Sequence, residues 1–306
     1  MKINGINAIY LGVLLMSLLM NRINAQEIND YPDIKSLDLK ADSLKSIHEF
    51  KKAINYRKDI FNLNDTITSN LYELAALNSL IKNNDLAFYY LRKATKIDSS
   101  IICLSNPDFF FIISDKRWQK LKSEQLKKHD NFEKITDKEL AGTLIDMLIR
   151  DQSYYIFIDD SKPDISERYW TIKDSLNEIN IELLDSIVIS KGWPKRSEVG
   201  DKASLSAFLI IQHSTLQKQE FYLKKLRRAV RQNEARKKHL ALLTDRIRIQ
   251  QGKKQVFGTQ VGYDAEKQEY TFGIDKIRNP NKLNRRRQKY GLEPIEEYLK
   301  QWDIEF

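Results

Sequence analysis

Residues 192–260 read GWPKRSEVGDKASLSAFLIIQHSTLQKQEFYLKKLRRAVRQNEARKKHLALLTDRIRIQQGKKQVFGTQ. Apolar residues recur there at helical spacing and do not alternate as in a strand. The pattern predicts two long helices, about 202–232 and 234–250. Gly192 and Pro194 close off the segment in front, and Gly252 ends it. These helices decide the class, which is mainly α. Downstream, 255–264 and 268–274 read as a small β-hairpin turning at 264–267. A basic helix follows Asn279-Pro280 and stops at Gly291, and Pro294 opens a last short helix.

Upstream, Thr136 and Glu139 form a capping box before a stripe of Leu140, Leu144, Met147 and Leu148 that ends near Asp151-Gln152. A second helix, about 167–191, carries Ile172, Leu176, Ile179, Leu183 and Ile187 at helical spacing. Residues 122–135 are rich in charge and read as a connector. Before it, 26–121 shows a 34-residue period: Ala41, Ile47, Ala53 and Tyr56 recur as Ala75, Ile81, Ala87 and Tyr90. Small residues at fixed offsets suit paired helices, and the segment around Leu74-Ala75, Leu86-Ala87 and Ala94 resembles a tetratricopeptide repeat. The expected order is therefore a leader at 1–25, tetratricopeptide-like hairpins at 26–121, the connector, and a helical domain at 136–306 with its hairpin near 255–274.

Residues 1–25 read as a secretory signal: Lys2, an apolar run from Ile9 to Met20, and Ala25 before Gln26. The expectation is export, periplasmic or secreted, the alternative being an N-terminal membrane anchor. The single cysteine, Cys103, sits in an apolar run and reads as a buried small hydrophobe. An exported chain without a disulfide must rely on its core. The formal charge of +9 is unevenly placed. Residues 217–254 hold 13 Lys and Arg against 3 Asp and Glu, while 255–306 hold 9 of each. A basic helix face of this kind is a solvated surface or a dock for an anionic envelope component. It has no aromatic interleaving and no zinc-finger pattern, so no nucleic-acid partner is expected. The tetratricopeptide-like repeats imply a protein partner.

Walker loops, Gly-x-Gly-x-x-Gly, Gly-x-Ser-x-Gly, HExxH and CxxC are all absent from the sequence, so no cofactor and no metal site are expected. Candidate chemistry lies elsewhere. His213, read as mid-helix with Leu209 and Leu216 on its face, is a candidate acid or base. An antiparallel pairing of the two long helices would bring Asp245 to orient it. Arg246 would then anchor a carboxylate or phosphate. The alternative for Asp245-Arg246 is an internal salt bridge. Thr259 and Gln260, beside a glycine that marks a bulge or close approach, are candidate ligand contacts.

In order along the chain stand Asp151-Gln152, Gly192-Trp193-Pro194, Ser197, Val199-Gly200, Gln212-His213, Asp245-Arg246, Gly258-Thr259-Gln260 and Gly291-Leu292 with Pro294. The combination resembles a bacterial domain family of unknown function over about 136–300, whose members often carry tetratricopeptide-like helices in front. One departure is Tyr154-Tyr155, where the resemblance implies a basic residue soon after Asp151-Gln152. The resemblance implies convergence of His213, Asp245, Arg246 and Gln260 in one cleft, and adds Asp151, Gln152 and Gln212 as ligand-binding candidates. The functional expectation is adaptor-like repeats followed by a ligand-binding or metal-independent hydrolytic cleft. Its rival is a non-catalytic envelope scaffold whose basic surface docks anionic partners.

Overall fold

Alanines spaced by the 34-residue period let the first helices approach closely, and this builds the front of the molecule. The computed structural model describes residues 32–101, 103–129, 134–158, 163–264, 267 and 269–305. The leader read at 1–25 lies outside them. Helices α1 (Pro32–Ser46), α2 (Phe50–Leu63), α3 (Thr68–Leu80) and α4 (Asn84–Ile97) each pack on the next. Ala41, Ala53, Ala75 and Ala87 are all buried where they meet, whereas Ile47 is 64% exposed. Arg57 is buried with its guanidinium donating to Asp38 and Asp42. Short 3-10 turns then lead to α5 (Lys116–His129).

Helix α5 occupies most of the stretch expected as a connector. The reason lies on its inner face: Trp118, Leu121, Lys122, Gln125 and Leu126 are buried. The Lys122 ammonium donates to Gly142 O at 3.0 Å and pairs with Asp146. A Cβ at Gly142 would stand 3.2 Å from Lys122 Cε, so the glycine makes room for this stem. One apolar core runs from Ala53 to Trp302 through both halves of the chain. Cys103 is free and buried within it, its thiol pushed up to about 12 chiefly by burial.

Helix α6 (Lys138–Gln152) is central, with Leu140, Ala141, Leu144, Ile145, Met147, Leu148 and Ile149 all buried. Its N-cap is Asp137, which accepts from Leu140 N at 2.9 Å, and not the expected Thr136, whose backbone N–H is committed to Glu198 O. Around it pack α7 (Pro163–Lys191) and α8 (Arg196–Gln212), followed by α9 (Leu216–Arg231) and α10 (Lys237–Gln250). The expected stripe on α7 does not all face inward. Ile179 is 51% exposed and Leu183 is also exposed, while Lys173, Asn180, Leu184 and Ile187 are buried. Polar anchoring sets this rotation, because Asn180 donates to Met147 O at 3.0 Å and Lys173 donates to Asp151 O.

The expected single helix over 202–232 is two helices. His213 ends α8, and Thr215 caps α9 by accepting from Lys218 N. The Gln219 amide closes the break by donating to Gln212 O and Ser214 O. Gly200, with φ +83°, interrupts α8 near its start. The β-hairpin is shorter than expected: β1 (Gly262–Asp264) pairs antiparallel with β2 (Glu269–Thr271), Tyr263 opposite Tyr270. Helices α11 (Leu283–Lys289) and α12 (Ile295–Lys300) close the chain. Among the described residues no helix is long and apolar enough to cross a membrane.

Candidate functional site

The carboxyl end of α6 leaves backbone carbonyls without partners inside the helix. Helix α7 meets this need with Asn180 and Lys173, and the next residues turn sharply: Tyr154 takes a left-handed φ of +67°. That turn packs against the front helices. His48 Nε2 donates to Ile156 O at 2.6 Å, and the Tyr154 ring contacts Phe110 and Phe111. Asp151, Gln152 and Tyr155 are thereby fixed between the two halves of the chain.

Asp151 is fully buried, and the end of α8 brings His213 to it. His213 Nδ1 lies 2.9 Å from Oδ1 and 3.1 Å from Oδ2. A carboxylate only accepts, so Nδ1 carries the proton and donates. Gln152 Nε2 donates to Asp151 Oδ2 at 2.5 Å. Burial pushes the Asp151 carboxyl up, but the His213 ring, the Lys173 ammonium and the Gln152 amide outweigh it and hold the carboxyl below its ordinary value. The far nitrogen of the ring, Nε2, is buried and has no hydrogen-bond partner among the described residues. The His213 side chain is 3% exposed.

Two cations share this buried space. Lys173 is 1% exposed, and its ammonium stands 4.3 Å from the centre of the Tyr155 ring. Burial lowers it to about 8, against the pull of Asp151. The Tyr155 ring is 6.5 Å from that of His213. Arg246, on α10, interacts electrostatically with Tyr155, and burial lowers its guanidinium to about 10. Its Nη1 is buried and unpartnered. Asp151 and Asp174 both pull on Lys173, whereas the partner that draws on the Arg246 guanidinium is the Tyr155 phenol and no carboxylate. An uncompensated buried charge is costly unless a counter-ion arrives.

Asp245 does not orient His213. Its carboxylate accepts from Val256 N at 2.6 Å, Phe257 N at 3.0 Å, Thr259 N at 3.1 Å and Thr259 Oγ1 at 3.1 Å. It is a clamp that ties the loop after α10 back onto the helix, and it does so one residue before Arg246. Thr259 and Gln260 belong to the same clamp, since Gln260 Nε2 donates to Thr259 O and Oγ1 at 3.2 Å. Gln212 is buried, and its backbone oxygen accepts from Gln219. Thus Asp151, Gln152 and His213 meet directly and Arg246 joins them through Tyr155, while Asp245, Thr259 and Gln260 shape the neighbouring loop.

Sequence reasoning missed Lys173, which stands between Ile172 and Asp174 with no signal of burial. It also missed Arg287, which the sequence shows only as one cation of the basic helix after Asn279-Pro280. Arg287 is 1% exposed and donates to Glu293 O, Phe257 O and Gly258 O at 2.7, 2.7 and 3.1 Å. Other elements of the ordered pattern are framework. Ser197 donates from N and Oγ to Glu234, tying the first turn of α8 to the α9–α10 connection. The cation beside Asp151, implied near Tyr154-Tyr155, comes from Lys173 on a different helix. Among the described residues no three His, Cys, Asp or Glu side chains gather as a metal-binding set.

No curated protein matches the chain, and no solved structure matches it. A family model does match, over residues 134–305, more than half of the 306. It covers α6 to α12, hence Asp151, Tyr155, Lys173, His213, Asp245 and Arg246. The chain belongs to the Family of unknown function DUF6624.

Proposed function

We propose that this protein is exported and that its C-terminal part binds an anionic ligand at a closed acid–base site, with hydrolysis as the reaction. One observation carries the reading: His213 Nε2 and Arg246 Nη1 are both buried and without a partner among the described residues, and the His213 ring and the Arg246 guanidinium both interact with Tyr155. With Nδ1 donating to Asp151, a neutral His213 ring presents a lone pair at Nε2. Water gives its proton to Nε2, its oxygen attacks the substrate, and the imidazolium returns the proton to the leaving group. Asp151 holds the tautomer and stabilises the imidazolium, as the third group of a triad does. Arg246 neutralises the carboxylate or phosphate of the ligand. The Arg246 guanidinium, which pairs with no carboxylate among the described residues, supports an anion over a neutral ligand.

Long-range 15N–1H NMR of His213 tests the reading. The expected spectrum is the Nδ1-protonated tautomer, with an Nε2 resonance that shifts on adding inorganic phosphate or acetate in the wild type and not in Arg246→Met. An Nε2-protonated ring, or the same shift in Arg246→Met, removes the proposal.

A second reading is a non-catalytic interaction protein, with the front repeats taking a protein partner. It rests on a groove of about 820 Å³ along α9 and α10, lined by Lys224, Lys225, Arg227 and Arg248 with Glu220 and exposed Phe221, over whose ring Lys225 stands at 5.0 Å. A mostly basic lining with an exposed aromatic suits an anionic surface. Cosedimentation with anionic vesicles that weakens steeply with salt supports it, and binding indifferent to salt removes it.

A further inference from the structure

A separate charged surface lies at the C-terminal end of the chain. A groove of about 340 Å³ is lined by Arg278, Lys282, Arg285, Arg286 and Lys289, with Val256 and Asn279. Among the described residues the lining holds five cations and no carboxylate. Three acids of the same segment are engaged elsewhere: Glu296 accepts from Asn284, Glu293 from Gln301 and Glu297 from Lys300. Arg278, Lys282, Arg285 and Lys289 are all exposed.

The floor of this groove is built. The Arg286 guanidinium donates to Val256 O at 2.8 Å, Asn279 O at 3.0 Å and Arg278 O at 2.5 Å. All three acceptors are neutral carbonyls, so its hydrogen bonds are met without a carboxylate. These bonds pin the turn at Asn279, which takes a left-handed φ of +49°. Burial and then Arg278 lower the Arg286 guanidinium, against the pull of Asp245. The Asp245 carboxylate offsets part of the Arg286 charge, and the four exposed cations line the groove around a turn that these bonds hold in place.

We propose that this groove binds a ligand carrying two or three linked phosphoryl groups. The volume lies at the small end of ligand pockets, which span roughly 300–1,000 Å³. A single carboxylate leaves most of the five charges uncompensated. Adjacent phosphoryl groups concentrate several charges in that space and match the planar fork of arginine. This site is distinct from the buried one at Arg246, and neither proposal depends on the other.

The test is calorimetric titration of the full chain with inorganic tripolyphosphate and with orthophosphate at low salt. Tripolyphosphate is expected to bind, orthophosphate at least about tenfold more weakly, and both to weaken as salt rises. The exposed double variant Arg285→Gln/Lys289→Gln is expected to lose about tenfold or more in tripolyphosphate affinity with an unchanged unfolding temperature. Equal affinity in variant and wild type, or no binding by the wild type, overturns the proposal. Vesicles of anionic phospholipid separate the sources. Capture that tripolyphosphate displaces, and that the double variant loses, assigns a lipid headgroup. No capture, with tripolyphosphate still bound, assigns a soluble oligophosphate. Capture by wild type and variant alike that tripolyphosphate does not displace counts against the groove.

Discussion

Replacing Asp245 by alanine removes the single acceptor shared by three backbone N–H groups and one hydroxyl. The N–H groups of Phe257 and Thr259 are buried, and that of Val256 is partly so. A buried donor left unpaired costs about 1–3 kcal/mol. Two such donors give about 2–6 kcal/mol, and Val256 adds little because it is close enough to the surface to find water. The Thr259 hydroxyl can rotate to another acceptor. We therefore expect Asp245→Ala to lower the unfolding free energy by about 4 kcal/mol, measured by urea unfolding with circular dichroism at neutral pH. Asp245→Asn should lie between the two, since its amide keeps one acceptor oxygen but turns an NH₂ toward the donors. A residue that merely oriented His213 would be removable at little cost to the fold, and often with a gain. A loss below about 1 kcal/mol in Asp245→Ala therefore refutes the clamp and restores the orienting role.

Two further outcomes follow from the same geometry. Gly258 has φ +62°, and a Cβ there meets Phe272 at 3.1 Å and Ile295 at 3.3 Å, so Gly258→Ala should destabilise by about 1–3 kcal/mol in the same unfolding assay. No loss would show that the loop relaxes freely. His239 is stacked on Phe208 at 4.4 Å, and burial, aided by Lys238 and Arg236, lowers it to about 3. The unfolded ring takes a proton below about 6.5 while the folded one does not, so stability falls as pH drops from 6.5 toward 3. His239→Phe should flatten that part of the stability curve, by about 2–3 kcal/mol at pH 4.5 relative to pH 7. An unchanged slope between pH 6.5 and 4.5 contradicts it.

The helical class was legible because a 3.6-residue period repeated over long runs is hard to mistake. Boundaries were not, and each error has a physical source. Ser214-Thr215 looked like the interior of one helix, yet Thr215 is an N-cap and Gln219 holds the break, so His213 sits at a helix end where its ring can turn toward Asp151. The stripe of α7 was read inward because it is apolar. Two polar bonds to the end of α6 decided the rotation instead, and they buried Lys173 in place of Ile179. Asp151 and His213 stand 62 residues apart, and spacing along the chain carries no trace of that contact. Asp245 was paired with His213 on helix geometry alone. The loop at 256–259, whose three N–H groups needed an acceptor, claimed it instead.

The account stands most directly on Arg246 being a desolvated cation held for a ligand and not a strut of the fold. Thermal unfolding of Arg246→Met without any added anion reads this in one comparison. Methionine keeps an apolar stem of similar length and removes the buried charge. The account predicts an unfolding temperature equal to or above that of the wild type. A fall of several degrees, the mark of a broken structural network, would contradict it.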